Sequence, residues 1–178
     1  MVKTSKLMEA IKRRKAFAWK LRPEVLRCRR IPEPLHGLAP RVVLGAKWWD
    51  KTRQASYKST AFHCVACGVH KGNASYRQWL EGHELYSVDY LLGRMTYLET
   101  VPLCHLCHNY IHSGRLAALL EEGKITHVKY KAVIQHGDRV LEAAGLRLQE
   151  VYDGMAAEAS EWRLIIDGKE YKKCPDTN

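Results

Sequence analysis

Leu103-Cys104-His105-Leu106-Cys107-His108-Asn109-Tyr110-Ile111-His112 is the stretch on which the fold turns. It runs a Cys-x-x-Cys pair straight into two histidines four residues apart. On a helix, His108 and His112 would project from one face. A second pair, Cys64 and Cys67, stands upstream in His63-Cys64-Val65-Ala66-Cys67-Gly68. Two such pairs have the ligand count and spacing of a closed tetrahedral zinc site, and paired spacing argues against four incidental thiols. One ion would then hold the fold, and a second, on the histidines, could do chemistry. His63 and His105 lie beside the cysteines as alternative ligands.

Working outward, the cysteine pairs bound a metal unit at residues 59–116. Gly68 permits the tight turn after Cys67, and Gly72 to Ser75 reads as another turn. Trp79 to Tyr90 alternates imperfectly, as a strand pair or a strand and loop would. The helix opened by the second knuckle is expected to carry His108 and His112 and run through Leu120, with Gly123 as its stop. Thr126 is placed to cap a further helix whose apolar stripe is Val128, Ala132, Val133, Val140, Leu141 and Ala144. Gly137 would interrupt that helix and Gly145 would end it. Trp162 to Ile166 and Lys169 to Tyr171 flank Asp167-Gly168, a hairpin signal. Upstream, residues 5 to about 29 read as helical with a break at Pro23, and Pro34 to Gly45 reads as loop. Trp48 and Trp49 suit core anchors better than a base-stacking platform. The fold class expected is α+β. A basic, mostly helical region at 1–58 precedes a zinc-stabilised core at 59–123, and a helix and hairpin complete it at 124–178.

Charge is unevenly spread. Residues 1–60 carry 16 Lys or Arg against 4 Asp or Glu, whereas residues 61–178 carry 13 against 15. A basic end suggests a polyanion partner, because each neutralised phosphate releases counterions. Leu7 to Trp19 could form a basic amphipathic helix, the rival signature of a membrane surface, but the zinc ligands favour nucleic acid. No apolar run approaches the roughly 18 residues of a membrane span, and no secretory signal is visible. Paired cysteines then point to metal binding in a reducing, cytoplasmic setting, with Cys28 and Cys174 as free thiols.

Leu80-Glu81-Gly82-His83-Glu84-Leu85-Tyr86, followed by Leu98 to His112, resembles the HNH endonuclease family in its zinc-ribbed, two-knuckle form. The resemblance covers about residues 60–116 and implies a ββα-metal core. It makes Cys64, Cys67, Cys104 and Cys107 the ligands of a structural zinc. It makes His108 and His112 ligands of a catalytic divalent ion, magnesium or another. Matching Leu80-Glu81 to the family's Leu-Glu puts His83 at the strand's metal-ligand position and Glu84 at the general base. Sliding by one makes His83 the base and leaves Gly82 at the ligand position. The family's middle Asn or Asp is Glu99 here, where a carboxylate could orient the base. Arg115, three residues after His112, is placed to hold a phosphate.

The function implied is metal-dependent hydrolysis of DNA phosphodiesters by a bacterial or phage-encoded protein, acting as a monomer or homodimer with no membrane partner. The alternative is a zinc-stabilised DNA-binding module on a degenerate HNH scaffold. A third class, an adaptor for a protein partner, fits the basic end poorly.

Overall fold

Two pairs of consecutive strands are set among helices, and the computed structural model describes residues 19–27, 31–146, 159 and 161–173. Nearly all of the basic 7–19 segment, together with Cys28 and Cys174, lies outside them. The architecture is mixed α+β, with one four-stranded sheet and five α-helices among the described residues.

The strands are β1 (Leu80–Asp89), β2 (Arg94–Cys104), β3 (Arg163–Ile166) and β4 (Lys169–Tyr171), in that spatial order. Trp79 to Tyr90 therefore supplies a single strand. Its partner β2 returns antiparallel, pairing His83 with Val101 and Glu84 with Thr100, with an irregularity between Leu85 and Tyr86. The expected terminal hairpin forms as β3 and β4, turning at Asp167 and Gly168, both at positive φ. That hairpin docks on β2 in parallel, matching Met95 with Leu164.

The helices are α1 (Pro40–Val43), α2 (Gly45–Ser59), α3 (His105–Ile111), α4 (Ser113–Glu121) and α5 (His127–Ala143). Four expectations change. The segment from Pro34 to Gly45 is not all loop, since Pro40 opens α1 at the first-turn position proline favours. The described part of the 5–29 region holds a 3-10 turn at Pro23–Arg27 instead of an α-helix. The helix after Cys107 does not run unbroken to Leu120: it ends at Ile111, and His112, at φ −93° and ψ 37°, links it to α4.

The fourth change concerns Gly137, which does not interrupt α5. A Cβ there would lie 2.1 Å from the Tyr110 ring, so this glycine is where α3 crosses α5. Tyr110 Oη then donates to Asp138 at 2.9 Å. Thr126 caps α5 as expected, accepting from the Lys129 amide at 3.2 Å.

Two apolar clusters result. One gathers Leu80, Val101, Leu103, Leu106, Tyr110, Leu116, Val133 and Leu141 around the buried cysteines, between β1–β2 and the helices. The other joins Leu35, Val88, Met95, Trp162, Leu164 and Ile166 under the far end of the sheet. Each large side chain so buried contributes about 1.5–3 kcal/mol relative to exposure. Trp48 and Trp49 are half-buried on α2. Trp48 meets the Tyr97 ring edge-on at 5.8 Å, and Trp49 lies over β1 at Gly82.

Candidate metal centres

Cys64 and Cys67 sit in a tight knuckle held by the Gly68 amide donating to the Cys64 carbonyl at 2.9 Å. The Val65 amide donates to the Pro102 carbonyl at 2.9 Å, which ties the knuckle to the end of β2. Cys104 closes β2 and caps α3, and Cys107 lies one turn inside that helix. The four sulfurs come within 4.8 Å of one another. Cys67 Sγ and Cys104 Sγ stand 3.7 Å apart. A tetrahedron with zinc–sulfur bonds of about 2.3 Å has an edge of about 3.8 Å, so the donor set and its spacing fit zinc. Hydrogen bonds from the Cys107, Cys64 and Cys67 thiols push the Cys104 thiol far down, which favours the thiolate a metal needs. His136 Nε2, 3.3 Å from Cys107 Sγ, can donate to that sulfur from α5.

The second cluster is built across β1 and α3. Alternate residues of a strand share a face, so Glu81 and His83 point together towards α3, while on the other face Gly82 meets α2 and Glu84 meets Arg41 of α1. A Cβ at Gly82 would meet Trp49 at 3.0 Å, so the absence of a side chain lets α2 pack against β1. His108 comes from α3 and His112 from the break after it. The donor atoms of His83, His108 and His112 lie within 4.8 Å of one another. Their ring centres are 5.5 Å apart for His83–His108, 5.1 Å for His83–His112 and 4.7 Å for His108–His112.

The surroundings of these imidazoles leave them able to bind a metal. Glu81 Oε2 accepts from His108 Nδ1 at 2.8 Å, which leaves His108 Nε2 for a metal, and its Oε1 accepts from His105 Nδ1 at 2.7 Å. Burial alone would raise the Glu81 carboxyl, but the bonds from His108 and His105 outweigh it and hold the group down to about 2. Burial, then the His108, His112 and Arg41 charges, lower His83 to about 3. Burial, then the His108, Arg115 and Arg41 charges, lower His112 to about 4. Both are therefore neutral at pH 7, the form that coordinates a metal.

Glu84 lies beside this cluster on the other face of β1. Its Oε2 stands 3.4 Å from Arg41 Nη1, and its buried Oε1 has no hydrogen-bond partner among the described residues. Burial raises its pKa, partly offset by Arg41. Arg115 is exposed at the start of α4, where its charge reaches His112. Glu99 does not orient Glu84: it binds Arg22 at 2.6 Å on the other face. Asn109 donates to the His105 carbonyl at 2.8 Å, as a helix asparagine.

Three residues of these centres escaped the sequence reading in their roles. Glu81 had a signal, since period 2 places it on the face of His83. Arg41, 43 residues before Glu84, and His136, 29 after Cys107, had none, because only tertiary packing brings them in. Comparison with family models, curated proteins and solved structures finds no match to this chain.

Proposed function

We propose that this protein is a metal-dependent endonuclease of the HNH type, hydrolysing DNA phosphodiester bonds. The observation that carries the reading is the convergence of His83 from β1 with His108 from α3 and His112 from the break that ends it. The cysteine cluster bears on that same helix, where Cys107 adjoins His108. In this reading β1, β2 and α3 form the ββα-metal unit.

A divalent ion held by the three imidazoles would polarise the phosphoryl group and stabilise the leaving oxygen. Three nitrogen donors suit manganese, nickel or zinc better than magnesium, which prefers oxygen ligands. Glu84 leaves β1 from the face opposite His83, but the His108 charge reaches it, so in this reading it is the base at the edge of the cluster. Its burial makes it more basic than an exposed glutamate, and its unpartnered Oε1 can accept a proton from water. Arg41 orients Glu84 and, with Arg115, supplies guanidinium groups for the phosphate. The basic first third of the chain adds contacts that position DNA without reading its sequence.

A second reading is a zinc-stabilised DNA-binding module without chemistry. The pairing of Glu84 with Arg41 favours it, because a carboxylate held by a guanidinium is a weaker base. Incubating supercoiled plasmid with the wild type, His83→Ala and His112→Ala, each with manganese, nickel, zinc or magnesium, separates the two. Nicking by the wild type that both substitutions abolish is the expected result. Intact plasmid under every metal, from folded protein that still retards DNA, would replace the nuclease with the binding module.

A further inference from the structure

Ser75 to Trp79 leads into β1 with every residue exposed, yet it carries two large aromatic rings. Tyr76 is 55% exposed and Trp79 is 51% exposed, and neither belongs to an apolar cluster. Each ring has a cation over it. The Arg77 guanidinium carbon lies 4.9 Å from the centre of the Trp79 ring, and Lys129 Nζ lies 5.9 Å from that of Tyr76. The surrounding side chains, Ser75 and Gln78, are polar, so this is no continuous apolar patch of the kind a second protein would bury.

The platform is joined to the histidine cluster. The Tyr76 ring centre is 6.2 Å from that of His105, His105 donates to Glu81, and Glu81 accepts from His108. Trp79 stands four residues before His83. At a strand rise of about 3.3 Å per residue, their Cα atoms are no more than about 13 Å apart.

Exposed aromatic faces interleaved with cations suit bases and phosphates together. Stacking needs a base whose face is free, and a duplex hides those faces inside the helix. We propose that Tyr76 and Trp79, with Arg77 and Lys129, form a stacking platform for unpaired nucleotides of a DNA strand, holding a single-stranded stretch beside the histidine cluster. The inference rests on the nuclease reading and narrows its substrate class to DNA with a single-stranded segment.

Fluorescence anisotropy with labelled oligonucleotides tests it in a His112→Ala background, which keeps the four cysteines and needs no cutting. The probes are single-stranded DNA, the same sequence as duplex, and the same sequence as RNA. Single-stranded DNA is expected to bind tightest. Tyr76→Ala with Trp79→Ala should weaken it by about tenfold or more while leaving duplex affinity nearly unchanged. Tyr76→Phe with Trp79→Phe, which keeps both faces, should restore it. Equal losses for single strand and duplex, or no loss, would overturn the platform. Tighter binding of RNA would overturn its assignment to DNA. Failure of the wild type to cut plasmid, single-stranded or gapped DNA, if the platform passes this test, would sink the nuclease and spare the platform. Cutting of any of these by the wild type, if the platform fails it, would do the reverse.

Discussion

Glu81 is one carboxylate serving two histidines, and its contribution can be separated from that of the ligands. It accepts from His108 and His105 at once, fixing the His108 tautomer. A carboxylate behind a metal-bound imidazole commonly contributes a factor of about 10–100 in metal affinity. Glu81→Ala is therefore expected to weaken cobalt binding by that factor in a spectroscopic titration while the cysteine site stays loaded. Unchanged affinity would mean that His108 is held by packing alone.

The neighbouring histidines make a pH prediction. His83 and His112 titrate at about 3 and about 4 in the folded, metal-free cluster. The ordinary value is near 6.5, so as the pH falls from there the unfolded chain takes up protons that the native chain refuses, and stability drops. Melting curves at pH 7 and pH 5 should show a larger loss for the wild type than for His83→Gln, which removes one of the two groups. Equal losses would mean that His83 is protonated while folded. The sequence named all three histidines through their spacing and the strand motif. Trp48 and Trp49, which suit core anchors on sequence alone, pack on β2 and β1, whereas the sequence around Trp79, the exposed ring, reads only as the start of a strand.

At the scale of elements, what local sequence encodes was legible and what two elements encode jointly was not. The Thr126 cap, the stops at Gly123 and Gly145 and the Asp167-Gly168 turn are local chemistry, and each stands where it was expected. Gly137 looked like a helix breaker because its reason lies in α3, where Tyr110 fills the space a side chain would need. The break at His112 likewise carries no glycine or proline to announce it before Gly114. Gly137 turns this into a measurable conflict. Alanine is favoured over glycine in a helix interior by about 1 kcal/mol. Forcing a methyl group into a packed contact costs about 1–3 kcal/mol, so the clash should win and Gly137→Ala should lower the denaturation midpoint. In a Tyr110→Ala background the same substitution should become neutral or stabilising, because the ring it strikes is gone. Destabilisation of equal size in both backgrounds would place the role of Gly137 outside its contact with Tyr110.

Across the whole molecule, the two candidate metal centres are expected to be unequal because they share α3. Cys107 and His108 are consecutive, and the knuckle of Cys64 and Cys67 meets that helix through the four-sulfur cluster and the apolar packing of Val65 and Ala66. Cysteine spacing made the cluster legible. The parallel docking of the terminal hairpin on β2 was not, since nothing local to residues 163–171 specifies a partner strand about 70 residues away. Structural zinc in small domains is worth about 10–16 kcal/mol of apparent binding free energy, comparable with the roughly 5–15 kcal/mol that holds a whole domain together. Loss of the zinc should therefore unfold the core and dismantle the histidine cluster with it, whereas loss of a histidine ligand should leave the fold in place. Titrating the thiols with an organomercurial is expected to release one zinc, collapse the far-ultraviolet dichroism and abolish cobalt binding at the histidines in a single transition. His112→Ala should lose only the histidine-bound metal and keep a melting temperature close to that of the wild type. Zinc release that leaves both the dichroism and the cobalt site intact would show instead that the apolar packing around Leu103, Leu106 and Leu141 carries the fold without the metal.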